Sequence, residues 1–505
     1  MQRPNGRKFL KYALAASALA VAPLHAGSAT TGRVDVSRWR GFNLLEKFTA
    51  RNQRPFVEDD FRWIRELGFN FVRLPLDYRC YTPDWQSFEF REDVLAEIDQ
   101  AVEFGRKYGI HVCINLHRAP GFCINPPPEP ADLWTDPEVQ RIFVAHWEMF
   151  ARRYKGIPST ELSFNLLNEP TRTSRENYLA VHRRAIEAIH RIDPARLVIV
   201  DGFEAGRHPC VEFLAYSNVM QATRGYYPGQ ISHYRASWVK GSDTWPTPTW
   251  PLLRLPGYLY GPVKPEFRSP MVFEGRFPAH TRISWVFIGL SGPVELCVQV
   301  DDRELARHRL DATGDPGAWE RDPGEKRWPI YRSRTGVVWS VTLPSAARRV
   351  SLGAVSGDWV LIREVRLQWP GAPQRSFGAI AEWGLSQGVW QISQDGRILP
   401  APGTDPDQPL KEYLRPWIEV AAQGEEVFVG EFGCFNKTPH DVALAWMRSW
   451  LELWKQAGIG WALWNFRGSF GVLDSGREDV QYEDWRGHKL DRKMLNLLQE
   501  YLPDR

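Results

Sequence analysis

Leu-Ser-Phe-Asn-Leu-Leu-Asn-Glu-Pro, residues 162–170, is a short apolar run that ends in a carboxylate followed by proline. A continuous apolar run of this length is typical of a strand buried on both faces. Val-Phe-Val-Gly-Glu, residues 427–431, has the same form. Both patterns therefore predict parallel strands that carry Glu169 and Glu431 to the carboxyl edge of a sheet.

Similar runs recur along the chain and alternate with longer segments of helical periodicity, which favours parallel strands joined by crossover helices. The predicted strands are 40–45, 71–75, 112–116, 162–168, 197–201, 219–223, 427–431 and 460–465. The predicted helices are 58–67, 93–108, 137–154, 174–191, 440–456 and 489–501. Eight such units predict an α/β fold, a (β/α)8 TIM barrel with its site at the carboxyl ends of the strands.

The helical pattern stops at about residue 237 and returns near 400. In between, the runs 294–300, 336–342, 349–352 and 359–368 alternate apolar and polar residues and are bounded by turns. We therefore predict a jelly-roll-like β-sandwich inserted between strands six and seven, at 238–399. The catalytic barrel comprises 31–237 and 400–505. The insertion is either a carbohydrate-binding domain or a structural wall of the cleft.

Residues 1–30 have the form of an export signal: Arg7 and Lys8 precede an apolar stretch, and small residues surround Ala26. We expect a periplasmic or extracellular protein, exported by the secretory or the twin-arginine route. The apolar stretch is shorter than the roughly 20 residues that a membrane span needs, so no stable insertion is expected after signal removal. The six cysteines show no metal-ligand spacing, although Cys80 and Cys123 are candidates for one bridge.

The composition of the chain indicates which classes of binding partner to expect. The net charge is +3 over 505 residues and no basic run is interleaved with aromatics, so nucleic acid is not an expected partner. The 23 tryptophans suit a protein that stacks on sugar rings, although part of them must be core. No phosphate-binding loop or metal constellation accompanies the candidate site, and no cofactor is expected. The sequence does not indicate an oligomeric state.

Two carboxylates at the mouth of one barrel suit glycosidic cleavage, in which one protonates the leaving oxygen while the other attacks the anomeric carbon. A retaining mechanism requires them about 5–5.5 Å apart. At that distance the charge of Glu431 would raise the pKa of Glu169 and keep it an acid. A single glutamate at a strand end could equally well form a structural ion pair with a neighbouring loop. Two glutamates at matching strand ends favour a catalytic role.

Six blocks of the chain resemble, in order, those of glycoside hydrolase family 5, the cellulase family. The blocks are Arg-Gly-Phe-Asn-Leu (40–44), Gly-Phe-Asn-Phe-Val-Arg-Leu-Pro (68–75), Asn-Leu-His (115–117), Leu-Asn-Glu-Pro (167–170), Gly-Glu-Phe-Gly (430–433) and Trp-Ala-Leu-Trp-Asn-Phe (461–466). The resemblance implies a retaining hydrolase with Glu169 as general acid/base and Glu431 as nucleophile. It also implies that Asn168 bonds the sugar 2-hydroxyl and that Arg73 orients Glu431.

The resemblance implies further residues of the subsite that holds the sugar to be cleaved, the −1 subsite. His117 would line it, Tyr226 would hydrogen-bond the nucleophile and Trp464 would form the platform under the sugar. His233 either lies beside the site or caps the inserted domain. Arg224 is a departure, because many family members have histidine two positions before the strand-six tyrosine, and it affects how the sugar or nucleophile is held.

The expected substrate is a β-linked polysaccharide or oligosaccharide, with endo-acting β-1,4-glucan hydrolysis as first choice. The segments 116–121 and 471–475 resemble the exo-β-1,3-glucanase branch equally, so exo-β-1,3-glucanase, β-glucosidase and mannanase activities stay open. Transglycosylation would use the same two glutamates. A non-catalytic saccharide-binding protein is the alternative of another class, although a mere scaffold has no reason to keep two close carboxylates.

Overall fold

The computed structural model describes residues 34–253, 255–314, 317–325, 327–399 and 405–503. The export signal predicted at 1–30 lies outside the described residues. The described residues from Asp35 onward form one compact unit by their contacts. Its two parts are a closed parallel barrel and a pair of β-sheets inserted into it.

Eight parallel strands close the barrel, in the order β1 to β6, then β19 and β20. Their bounds are β1 Arg40–Asn43, β2 Phe71–Asp77, β3 His111–Arg118, β4 Leu162–Asn165, β5 Val198–Asp201, β6 Val219–Gly225, β19 Val427–Phe432 and β20 Gly460–Leu463. The barrel closes where Gly41 pairs with both Phe71 and Ala462. The prediction of a TIM barrel is confirmed, and each predicted strand starts within one residue of its observed start.

Helices cover the outside of the barrel. The nine described helices are α1 Glu58–Glu66, α2 Glu92–Tyr108, α3 Pro137–Arg153, α4 Arg175–Ile192, α5 Phe203–Gly206, α6 Gly229–Ser232, α7 Gln408–Ala421, α8 His440–Ala457 and α9 Arg492–Gln499. Side-chain caps fix several starts, as where Asp136 accepts from the N–H of Glu138. Helix α7 was not predicted. The predicted start of the last helix at Lys489 was wrong, because Lys489 lies in a small hairpin of β21 Glu483–Trp485 and β22 His488–Leu490 and α9 begins at Arg492.

The inserted part is a β-sandwich, as predicted. One sheet has the order β13-β14-β10-β16-β17-β7, with β8 also paired to β16, and the other has the order β12-β11-β15-β9-β18. The strands are β7 Leu255–Pro256, β8 Tyr258–Tyr260, β9 Met271–Phe277, β10 Arg282–Leu290, β11 Val294–Val300, β12 Arg303–Leu310, β13 Glu320–Arg321, β14 Tyr331–Thr342, β15 Ala347–Ser356, β16 Trp359–Gln368, β17 Arg375–Ile380 and β18 Val389–Gln391. All of them fall inside the predicted 238–399.

The strand β10 is central to its sheet and was not foreseen. It is buried along almost its whole length, so its sequence does not alternate as a half-exposed strand would. Its side chains Ile283, Trp285 and Phe287 belong to a core that fills the space between the two sheets. The barrel has a separate core of its own.

Neither a disulfide nor a membrane helix is found in the described part of the chain. All six cysteines are free and buried, so the bridge considered between Cys80 and Cys123 is not formed. Within the described ranges, no helix combines the length and apolar character needed to cross a bilayer.

Candidate active site

Glu169 and Glu431 both lie at carboxyl ends of barrel strands, and both sit on irregular backbone. Glu169 follows β4 with a φ of 48°, which is unusual for a residue with a side chain and costs on the order of 1–3 kcal/mol. Its N–H donates to Asp201 Oδ2 at 2.9 Å, which holds this conformation. The pairing of β19 with β6 shifts register between Val429 and Glu431, and such a bulge redirects the side chain that follows it.

Arg73 is the main partner of Glu431. Its Nη1 donates to Glu431 Oε1 at 2.6 Å, and only 1% of the Arg73 side chain is exposed. The rest of the guanidinium donates to Asn43 Oδ1, Asn165 Oδ1 and Asn168 Oδ1, each at 2.9 Å. A guanidinium held by four hydrogen bonds in this position stabilises the charge of Glu431 and fixes its orientation.

Tyr226 donates from its hydroxyl to the other oxygen of the same carboxylate, Oε2 of Glu431, at 3.1 Å. Burial, followed by the nearby charge of Glu431, raises the pKa of Tyr226 well above its usual value. The hydroxyl therefore stays protonated and can only act as a donor to Glu431. Both oxygens of this carboxylate are thus held by donors, one from Arg73 on β2 and one from Tyr226, which directly follows β6.

Arg224 touches both candidate catalytic carboxylates. Its Nε donates to Glu169 Oε1 at 3.2 Å, and its Nη2 lies 3.6 Å from Glu431 Oε1. The same Nη2 forms an ion pair with Asp201 and donates to Asn168 Oδ1 at 2.8 Å. The residue that departs from the family pattern therefore lies in the centre of the site.

Glu169 has the properties of a group that can hold a proton near neutral pH. Burial, followed by the charge of Glu431, raises the pKa of Glu169 from 4.5 to about 7. Asp201 adds to this effect, while Arg224 and Arg73 oppose it. Glu431 has two strong donors and Glu169 has a raised pKa, so the two carboxyl groups are suited to different roles.

His117 is buried beside Glu431, with its Nδ1 4.0 Å from Glu431 Oε1. Burial lowers the pKa of His117 well below its usual value, helped by the positive charges of Arg73 and Arg224. Its Nε2 lies 3.4 Å from the amide nitrogen of Asn168. A neutral imidazole thus lines the site next to the amide that the resemblance assigns to the sugar 2-hydroxyl.

Trp464 and His233 flank this centre. The ring centroid of Trp464 lies 5.4 Å from that of His117 and 5.5 Å from that of Phe48, and the residue is partly exposed. His233 packs edge-on against Tyr226 with ring centroids 5.0 Å apart, and burial lowers its pKa to about 4. Of the two alternatives for His233, its position is the one beside the site.

Sequence reasoning missed the polar layer beneath these residues. Asp201 ends β5, Asn165 ends β4 and Asn43 ends β1, and all three are buried. Asn165 donates to Asp201 Oδ1 at 3.0 Å while accepting from Arg73, so it links the two guanidinium systems. The sequence pattern that could have identified these three residues is the one that identified the glutamates: each is a polar residue at the end of an apolar strand.

The mouth of the (β/α)8 barrel thus holds one carboxylate, Glu431, with a donor on each oxygen, and one carboxyl group, Glu169, with a raised pKa. This arrangement suits the cleavage of a glycosidic bond, which needs a nucleophile and a proton donor. Among the described residues, no group of three or more His, Cys, Asp or Glu side chains is arranged to hold a metal ion.

Comparisons with known proteins point to the same class. Residues 29–237 match the family model for cellulase, glycosyl hydrolase family 5. Endoglucanase C of Acetivibrio thermocellus is 29% identical over 213 residues, which cover 40% of this chain and 62% of that protein. Cellodextrinase A of Ruminococcus flavefaciens is 30% identical over 185 residues, covering 36% and 54%. The match thus spans about three fifths of the length of the first of these curated relatives.

A solved structure described as a glycoside hydrolase superposes with a TM-score of 0.60 at 28% identity, covering 92% of this chain and all of that one. The endoglucanase Cel5A of Thermotoga maritima superposes with a TM-score of 0.52 at 17% identity, which shows a shared fold alone. Over residues 29–237 this chain is similar to glycoside hydrolase family 5.

Proposed function

We propose that the protein is a retaining β-glycosidase that cleaves a glucan-like saccharide, with endo-β-1,4-glucan hydrolysis as the first choice of reaction. The observation that carries the proposal is the asymmetry of the two carboxylates. Glu431 receives a donor on each oxygen, whereas Glu169 has a pKa of about 7. One group is prepared to attack and the other to donate a proton.

In the first step, Glu431 attacks the anomeric carbon while Glu169 transfers its proton to the glycosidic oxygen, so the bond to the leaving sugar breaks. The glycosyl group is then esterified to Glu431, and Glu169 is ionised. In the second step Glu169 takes a proton from water, the resulting hydroxide attacks the same carbon, and Glu431 is released. A sugar hydroxyl in place of that water would give transglycosylation.

The environment supports each step. The charge on Glu431 disappears when the ester forms, which removes the repulsion that raises the pKa of Glu169 and favours its ionised, basic form. Asn168 has its Oδ1 occupied by Arg73 and Arg224, so its amide is oriented as a donor. This donor suits a hydroxyl of the sugar, and Trp464 offers a ring face for stacking.

The substrate assignment draws on the relatives named endoglucanase and cellodextrinase. The cleft is also shaped by the start of the insertion. Trp238 is 50% exposed and packs edge-on against Phe435, which follows β19, at 4.8 Å. It lies 6.2 Å from the ring of His233 and so extends the aromatic wall that begins at Tyr226.

The inserted sandwich supports a carbohydrate-binding role as a further part of the proposal. Trp383 is 49% exposed, and its ring is held edge-on by Tyr258 at 5.0 Å, Tyr260 at 5.2 Å and Trp359 at 5.9 Å. A half-exposed indole fixed by three aromatic neighbours is a suitable platform for a sugar face. Trp383→Ala in a Glu431→Gln background should weaken retention on insoluble cellulose, and unchanged retention would contradict this role.

Export through the segment 1–30 belongs to the same proposal, because a polymeric glucan is met outside the cell. Its support is the charge and apolar pattern of that segment. Fractionation of cells that express the full chain, with N-terminal sequencing of the product, tests it. A cytoplasmic protein with an intact N-terminus would contradict export.

The activity is tested by product analysis on barley β-glucan, carboxymethyl-cellulose, laminarin, mannan and short aryl β-glycosides. Glu431→Gln and Glu169→Gln should lose hydrolysis, while Glu364→Gln, a buried paired carboxylate of the sandwich, should retain it. Product lengths separate endo from exo action. If the wild type releases nothing from any substrate yet binds saccharide, the hydrolase proposal fails and the binding protein replaces it.

The roles of the two glutamates are separated by rescue with azide. Glu431→Ala should form an α-glycosyl azide, because azide then occupies the face of the missing nucleophile. Glu169→Ala should form the β-azide, because azide attacks the covalent intermediate in place of activated water. The reverse pairing of products would overturn the assignment of the two residues.

A further inference from the structure

The position of Arg224 conflicts with the role of Glu169 as a general acid. A permanent positive charge 3.2 Å from a carboxylate favours its ionised form, which a general acid cannot use. The guanidinium is almost fully buried, with 3% of its side chain exposed, so solvent screens this effect little. Something must offset the charge of Arg224 if Glu169 is to keep its proton.

Asp201 is placed to do this. Its side chain is fully buried and forms an ion pair with Arg224 Nη2. The carboxylate is itself fixed, since Oδ1 accepts from Asn165 and Oδ2 accepts from the N–H of Glu169. Its backbone carbonyl accepts from the Tyr178 hydroxyl at 2.7 Å. Asp201 is thus a rigid anion in contact with both Arg224 and the backbone of the acid.

We propose that Asp201 is a positioning residue that holds Arg224 between Glu169 and Glu431 and neutralises its charge, so that Glu169 retains the proton it donates. The inference rests on the proposed hydrolase function and deepens it. It assigns to the pair Asp201 and Arg224 the task of keeping the two carboxylates in different protonation states.

Neighbouring glycines make room for the arginine. A Cβ on Gly430 would lie 2.9 Å from Arg224 Nη1, and a Cβ on Gly206 would lie 3.1 Å from Arg224 Cγ. Gly206 also has a φ of 81°, which disfavours any other residue. The site is therefore built around a long side chain at position 224, with its partner at position 201.

The charged and titratable groups that act on Glu169 come from five elements. They are Arg73 on β2, Asp201 on β5, Arg224 on β6 with Tyr226 directly after that strand, Glu431 on β19 and Tyr413 on α7. The two tyrosines remain neutral because burial raises their pKa values, that of Tyr413 to about 12. The balance at Glu169 thus depends on two cations and two anions, and removing one anion leaves an excess of positive charge.

The test compares the alkaline limb of the kcat/KM profile on an aryl β-cellobioside among wild type, Asp201→Asn, Arg224→Gln and the double variant. In Asp201→Asn the unopposed Arg224 should move the limb to lower pH by about one unit. In Arg224→Gln the unpaired Asp201 should move it to higher pH. In the double variant both charges are gone, and the limb should return close to that of wild type.

Asp60→Asn serves as the matched control, because Asp60 is a buried carboxylate paired with Arg467 away from Glu169. It should lower the thermal midpoint without moving the limb. A purely structural role of Asp201 would give that same result. The inference is overturned if wild type is active and its alkaline limb coincides with those of all the variants. It is also overturned if the limb of the double variant does not return to the wild-type position.

Two further outcomes are distinguishable from these. If Asp201→Asn does not fold, Arg224→Gln alone must still move the limb upward, and an unmoved or lowered limb overturns the inference. If the wild type itself hydrolyses none of the substrates, the proposed function fails and the inference fails with it.

Discussion

Arg73→Lys offers a sharp test of how the nucleophile is held. The Arg73 guanidinium makes four hydrogen bonds, one of them to Glu431, and a lysine ammonium keeps the charge but not the planar fork. If two of these bonds are lost at about 1.5–3 kcal/mol each, the total is about 3–6 kcal/mol. With half of that loss falling on the transition state, about 1.5–3 kcal/mol, kcat/KM should drop roughly 10- to 160-fold.

Arg196→Lys is the matched control. Arg196 is also fully buried and also makes four hydrogen bonds, to three backbone carbonyls and Asp193, at the amino end of the strands. Its replacement should lower the thermal midpoint by as much as Arg73→Lys does and leave kcat/KM within about threefold. Equal losses of kcat/KM in both variants, or none in Arg73→Lys, would refute the role assigned to Arg73.

Three other predictions follow from the same geometry. Activity should fall as pH rises through about 7, because Glu169 must be protonated and its pKa is raised to about 7; a kcat/KM profile flat to pH 9 would contradict this. Since the folded state raises that pKa, ionised Glu169 destabilises the fold at alkaline pH, so Glu169→Gln should raise the thermal midpoint at pH 8.5 and change it less at pH 5. Gly41→Ala should destabilise the barrel by about 3 kcal/mol or more in denaturant unfolding, because its Cβ would lie 1.7 Å from the Phe71 carbonyl oxygen.

The barrel was predictable because each of its strands is buried on both faces and therefore leaves a continuous apolar run. The same runs located Glu169 and Glu431, since a strand that points its carboxyl end at the barrel mouth must deliver whatever residue follows it. The ends of elements were less predictable. The run from 489 has helical periodicity, yet Asp491 caps the helix and leaves Lys489 to pair in a hairpin.

Helix α7 escaped prediction for a physical reason. Pro416 lies inside it, and proline within a helix removes a hydrogen bond and is normally evidence for a break. The helix persists because Leu410, Leu414, Trp417 and Val420 bury one face against the barrel. Tertiary packing overrides local propensity here, and a single sequence carries no record of that packing.

The position of Arg224 was evident from the sequence, but its effect was not. A long side chain at a strand end can reach solvent, a neighbouring loop or the opposite carboxylate, and periodicity does not distinguish these. The direction of the Arg224 side chain is determined by its ion pair with Asp201, which lies on the neighbouring strand, 23 residues earlier in the chain. Because burial makes an unpaired charge costly, the two residues must be considered together. A departure from a family motif at one position is therefore best interpreted by asking which buried residue of opposite charge lies beside it.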